Sequence, residues 1–279
     1  MQGSLMIDTR KEAYGTFFKD DFAKKAFEVS DDCNELRRPV FDLISAWRST
    51  SYSGALPSVL VMTLKSFHDG YANEPSSAGM LRYSEVVLAK LCLEIPALTE
   101  NGELCRSLQS RIVDISAQIV EADRATKLEL DSESAWQEYL KLHPFVMGVH
   151  ATMRQTYLAI FGAYENYIVS LLKIGLGGAP VRVTDRDFTK KFRDVFGDLV
   201  ESAWLEPRIL VAKRVRHAII HAGGRVTRDL EGQKIPVVVH DDHLHVYPEH
   251  NKALYDVLKV PAFAMMRSSV LREKSFKIG

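Results

Sequence analysis

The stretch "YLAIFGAYENYIVSLLKIGLGGAP", residues 157–180, constrains this chain more than any other. It is apolar enough to approach a membrane span. Glu165, Asn166 and Lys173 interrupt it, however, and a glycine-rich segment ends it early. It therefore reads as a helix buried in a soluble protein. Leu158, Phe161, Glu165, Ile168 and Leu172 fall on one stripe of that helix, and Glu165 is the only polar member. A carboxylate placed among apolar side chains needs a cationic partner. Arg216 or a neighbouring basic residue is expected to supply it.

The rest of the chain also carries helical spacing. "KDDFAKKAFEVSDDCNELRRPVFDLISAWR" gives one or two helices before residue 48, and "STSYSGALPS" reads as a turn-rich break. "PSVLVMTLKSFHDGY" and "MLRYSEVVLAKLCLEI" read as helices around the loop "ANEPSSAG". "ELCRSLQSRIVDISAQIVEADRAT" follows as another helix. The polar stretch "RATKLELDSESAWQ" marks a boundary near 125–135, predicting a helical accessory region over 1–130 and a second domain over 135–279. In that second part Pro144 suits a first helical turn, and the helix it opens runs to about Lys173. Thr184 or Asp185 offers the cap of a short helix, and Pro207 and Gly223 bracket a longer one. "KIPVVVHDDHLHVY" predicts two strands around a turn at Asp241–Asp242, and a last helix follows, bent near Pro261. The expected fold is mainly α: a helical bundle with a small β-hairpin and an N-terminal helical accessory region.

Length and composition set the outer limits. The chain has 279 residues, enough for one large domain or two small ones, and 46% of them are hydrophobic. Lys plus Arg and Asp plus Glu both number 36, so any contact with nucleic acid must come from a local patch. Three cysteines without CxxC spacing fit reduced thiols in a cytoplasmic protein. The N-terminal "MQGSLMIDTRKEAYG" lacks the apolar core of a signal peptide, and no membrane partner is expected.

The segment "RVRHAIIHAGG", residues 214–224, places two arginines and two histidines in the last turns of a helix. On a wheel of residues 204–222, Trp204, Leu205, Val211, Ala212, Val215, Ala218, Ile219 and Ala222 form one face. Lys213, Arg214, Arg216, His217 and His221 lie on the other, mixed with Ile209, Leu210 and Ile220. Apolar residues among histidines on an outward face suggest a packing partner, such as a second copy of the chain. His217 and His221 share a face. Arg216 lies about 140° from His221, so the two share no stripe, and a two-fold axis would let both copies line one cleft.

"RHAIIHAGG" resembles the Arg-x4–6-His motif of the HEPN superfamily, with Arg216 as the arginine, His217 as its polar neighbour and His221 as the histidine. "TYLAIFGAYENYIVSLL" resembles that family's other core helix, and the resemblance covers roughly 135–279. It implies a metal-independent endoribonuclease with no cofactor. It also implies a homodimer through the 204–222 helix, and a toxin or antiviral effector restrained by an antitoxin or other regulator. Such cleavage uses the RNA 2′-hydroxyl as nucleophile. Arg216 would offset charge on phosphorus, His221 would move protons, and His217 would carry the second proton or orient the phosphate. Glu165 would complete the arrangement, with Lys213, Arg214, Arg225 and Arg228 binding RNA backbone.

Other readings stand beside this one. The arginine and histidines can complement a helix end in solvent, or belong to a non-catalytic module that binds RNA or protein. His217 and His221 have metal-pair spacing, but Ala218 stands where HExxH has Glu. His240, His243, His245 and His250 cluster with Asp241 and Asp242, which makes a metal-dependent hydrolase the third reading.

Overall fold

The computed structural model describes residues 10–31, 33–71, 77–95, 102–126, 132–269 and 271. Segments 1–9, 72–76 and 127–131 lie outside the described residues, and with them most of the N-terminal segment, part of the expected loop and part of the expected boundary. The fold is mainly α, with one two-stranded antiparallel sheet among the described residues. No helix among them is long and apolar enough to cross a membrane.

The chain forms two compact units, and they do not part at 130–135. One comprises the residues up to Thr16 together with Tyr52–Val149, and the other comprises Phe17–Ser51 together with His150–Gly279. Two long helices, α2 (Asn34–Tyr71) and α6 (His143–Gly175), each contribute to both. A division read from a polar stretch misses this, because α2 and α6 run on across the limits of the units.

The unit ending at Val149 holds the second half of α2, α3 (Ser77–Glu94), α4 (Gly102–Thr126) and α5 (Ser132–Leu140). Leu64, Val87, Leu91 and Ile112 form its core where α3 packs on α4. The Sγ atoms of Cys92 and Cys105 lie 3.8 Å apart between those helices. Burial, and then the neighbouring Cys105, push the Cys92 thiol up.

The other unit carries α1 (Asp20–Asp31), the first half of α2, most of α6 and everything after it. After α6 come α7 (Phe188–Phe196), α8 (Leu199–Ala203), α9 (Pro207–His221), β1 (Val238–His240), β2 (His243–His245) and α10 (Pro248–Met266). Its centre is aromatic. Trp47 packs edge-on against Tyr255 at 5.2 Å, and its indole N–H donates to the Ile160 carbonyl of α6. Tyr164 donates to the Ala203 carbonyl, tying α6 to α8. At the end of α6 a Cβ on Gly175 would lie 2.4 Å from Val195, so glycine there lets α7 pack closely.

Several local expectations need correction. "STSYSGALPS" is not a break, because α2 runs through it. The buried Ser51 hydroxyl accepts hydrogen bonds from the Phe17 and Phe18 amides, at 2.8 and 2.9 Å, so it is engaged in tertiary structure rather than in a turn. Neither Thr184 nor Asp185 caps α7, which starts at Phe188 after Asp187. Asp185 instead accepts from the Arg182 amide and pairs with Lys191. The expected last helix does form as α10, with Pro261 inside it. The Asp241–Asp242 turn does form, with φ of 48° and 59°, the pattern of a type I′ hairpin.

Ser51→Ala would strand two amide donors, one of them fully buried, and is expected to cost about 1–3 kcal/mol. A lower urea midpoint with an unchanged slope is the expected reading, and an unshifted midpoint would show that the hydroxyl is dispensable.

Candidate active site

The site is built where α9 returns along α6. α9 starts cleanly, with Pro207 in its first turn and the Glu206 carboxylate accepting from the Ile209 amide. It stops as cleanly. Gly223 and Gly224 take φ of 62° and 86°, and the Gly224 amide donates to the Ala218 carbonyl. Ile209, Val211, Ala212, Val215 and Ala218 are buried. Ile209 was expected on the polar side of the wheel, but it sits in the first turn and points into the core. Ile220, near the other end, is exposed as the wheel predicts.

Glu165 is 7% exposed and lies opposite Arg216, with Oε2 at 2.8 Å from Nη1. The guanidinium also lies over the Phe161 ring, 5.8 Å from its centroid. Lys213 stacks over Trp204 at 4.3 Å and contributes to the field at Glu165. Burial pushes the Glu165 carboxyl up, while Arg216 and then Lys213 pull it back down. Burial lowers Lys213, and Glu165 opposes that shift. Glu165 Oε1 and Arg216 Nε have no protein hydrogen-bond partner. The pair therefore keeps an unused acceptor and an unused donor.

One residue beyond Arg216 the surface changes character. His217 and His221 are both exposed, and their rings lie 4.5 Å apart. No hydrogen bond or ion pair among the described residues links either of them to Arg216. Within one chain the structure thus brings together Glu165 with Arg216, and His217 with His221, as two neighbouring pairs. Of the expected backbone-binding cations, Arg225 and Arg228 are exposed. Arg214 donates to the Asp229 carbonyl, and Lys213 is half-buried on Trp204. Lys213 is therefore better placed to balance Glu165 than to grip RNA.

The hairpin docks beside the end of α9. The Leu244 amide donates to the Gly224 carbonyl at 2.7 Å, and the Val226 amide donates to the Asp242 carbonyl at 2.8 Å. Its histidines do not form the cluster expected of a metal centre. Among the described residues no three His, Cys, Asp or Glu side chains are placed to hold a metal ion together. His250 is used elsewhere, its Nδ1 accepting from the Tyr247 amide to cap α10. Sequence reasoning missed Arg154 and His150 of α6. A signal for Arg154 was present, since it extends the Leu158–Phe161–Glu165 stripe by one turn.

Arg216→Ala would leave the Glu165 charge inside without its nearest partner. Because the Arg216 side chain is 28% exposed, the expected cost at neutral pH is about 1–3 kcal/mol, below the ~3–5 kcal/mol of a fully buried pair. Without the guanidinium the carboxyl rises further. As pH falls it therefore protonates earlier in the variant, and the deficit relative to the parent shrinks. Unfolding free energies of both proteins across acidic to neutral pH check this, and a deficit that is constant or grows toward acid contradicts it.

No family model matches this chain, and neither a curated protein nor a solved structure matches it, leaving its own residues as the guide to function.

Proposed function

We propose that this protein is a metal-independent endoribonuclease of the HEPN kind, working as a homodimer paired through α9. One observation carries the reading: a guanidinium anchored from behind by a buried carboxylate is followed, one residue on, by the first of two exposed imidazoles whose tilted rings lie 4.5 Å apart at a glycine-terminated helix end. A solvated helix end would hold its basic residues against the macrodipole. It would not need a carboxylate buried three helical turns inside a neighbouring helix to fix one of them.

The chemistry follows from the residue types. The substrate 2′-hydroxyl attacks the adjacent phosphorus, forming a P–O bond, and the P–O5′ bond breaks. One imidazole takes the hydroxyl proton and another gives a proton to the departing 5′-oxygen. His221 is assigned proton transfer. His217, its ring 4.5 Å from that of His221, is the second carrier or the group that orients the phosphate. Arg216 faces charge gathering on the non-bridging oxygens, an electrostatic role suited to a planar cation whose position is already fixed. Glu165 is a positioning residue. It orients Arg216 from the protein side and leaves the other donors of the fork to the phosphate. Arg225 and Arg228 supply exposed charge for flanking backbone. In a dimer the partner's His221 would join the same cleft, which removes the need for Arg216 and His221 of one chain to share a stripe.

The purified protein is expected to cut single-stranded RNA in the presence of EDTA, leaving 2′,3′-cyclic phosphate and 5′-hydroxyl ends. Arg216→Ala and His221→Ala should each slow cutting by about a hundredfold or more, and His217→Ala by less. RNA association without cleavage would instead favour the binding-module reading, for which the exposed Arg225 and Arg228 suffice. Activity lost to chelator and retained in His221→Ala would contradict the mechanism.

A further inference from the structure

Arg154 lies three helical turns before Glu165 on the same stripe of α6, about 16 Å along the axis. α9 runs antiparallel to α6, so Glu165 meets Arg216 while Arg154 meets the glycine stop that follows His221. The Arg154 guanidinium lies over Gly224, where a Cβ would come within 3.2 Å of Nη2. Nη2 donates to the Leu244 carbonyl of the hairpin at 3.2 Å, and among the described residues no carboxylate pairs with it.

Histidines surround this cation. His150, one turn earlier on α6, is 93% buried, being 7% exposed, and its Nε2 has no hydrogen-bond partner. The His245 ring lies 5.7 Å from His150, and His240 lies 6.1 Å from His245. Tyr247 flanks His150 at 6.5 Å. Arg154 and His245 are half-exposed and His240 is exposed, so the cluster runs from a buried imidazole out to solvent.

We propose that Arg154, His150 and His245 form a second anion site, which binds a phosphodiester of RNA flanking the scissile one. The proposal rests on the endoribonuclease reading for the identity of the ligand. Arg154, His150 and His245 supply several nitrogen donors and one fixed positive charge, and the acidic group at the solvent edge, Asp241, faces His240 at 3.2 Å rather than pairing with Arg154. Such a set favours an anion and disfavours a metal ion, whose charge Arg154 would repel. Burial holds His150 down at about 4, with His245 and Arg154 adding to the shift. Burial also lowers His245, together with Arg154, His240 and His243. A bound phosphate reverses the charge that these imidazoles face, so anion binding and protonation favour each other. Gly224 has a stated part: φ of 86° and the guanidinium overhead both disfavour a side chain there.

The test is an NMR titration of the full chain's histidine side chains with and without inorganic phosphate. Phosphate should move the His245 and His150 titrations toward higher pH in the parent and not in Arg154→Gln. Arg154→Lys, which keeps the charge but not the fork, should retain part of the shift. His245→Gln, which leaves the Leu244 bond intact, should weaken phosphate binding even where Arg154→Gln destabilises the hairpin. In parallel, binding of a 2′-O-methyl oligoribonucleotide, which cannot be cleaved, is read by fluorescence anisotropy. It should weaken about fivefold or more in Arg154→Gln, with a shallower salt dependence. No phosphate-dependent shift, or the same shift in Arg154→Gln, overturns the site. A phosphate shift with unchanged oligonucleotide affinity overturns its assignment to RNA. A phosphate shift and weakened oligonucleotide binding in a protein that cuts no RNA would uphold the site while removing the nuclease reading.

Discussion

A carboxylate on the apolar stripe of a buried helix cannot stay charged at neutral pH without compensation. Removing it from water costs several kcal/mol, and only a well-placed cation offsets that. In this protein the compensation reaches Glu165 from α9, through Arg216 at 2.8 Å and the field of Lys213. The pairing fixes which residues of α9 face α6. That register carries Val211, Ala212, Val215 and Ala218 into the core and leaves His217 and His221 outside. The glycine stop and the hairpin then follow from where α9 ends, since the Gly224 carbonyl is the acceptor onto which β2 docks.

Most of this arrangement could be read from the sequence because its causes are local. The stop at Gly223–Gly224 is a matter of positive φ, and so is the turn at Asp241–Asp242. The isolation of Glu165 on its stripe is visible in five residues, and a basic partner, Arg216 or a neighbour, follows from charge; the choice of Arg216 is made by the packing of α9. Where the sequence misled, the deciding interaction was distant. Serine, glycine and proline at 51–57 signal a turn, yet Ser51 is taken up by amides more than thirty residues away and the helix continues. The polar stretch near 130 looked like a domain limit. The actual units interleave, since α2 and α6 each serve both, and no local composition marks that. Arg154 was overlooked because a cation on an apolar stripe reads as a chance surface residue until Gly224 and Leu244 are seen around it.

The chain as a whole carries no net charge. Whatever attracts an anionic substrate must therefore be organised locally, and the seam between α6 and α9 is where cations collect. Arg216 is held from behind and half-buried, while His217, His221, Arg225 and Arg228 face solvent. A fixed guanidinium loses little freedom on meeting a phosphate, whereas a surface arginine must first be ordered. The interior pair is thus the link between fold and proposed chemistry: the same ion pair that makes Glu165 tolerable holds Arg216 in position.

The most direct measurement of that link is a double-mutant cycle on unfolding free energy, using Glu165→Gln, Arg216→Gln and the two together. If the pair sets the register of α9, the losses are non-additive, with a coupling of about 1–3 kcal/mol. Losses that add to within about half a kcal/mol would mean that the two side chains are energetically independent, and the account built on their contact would fail.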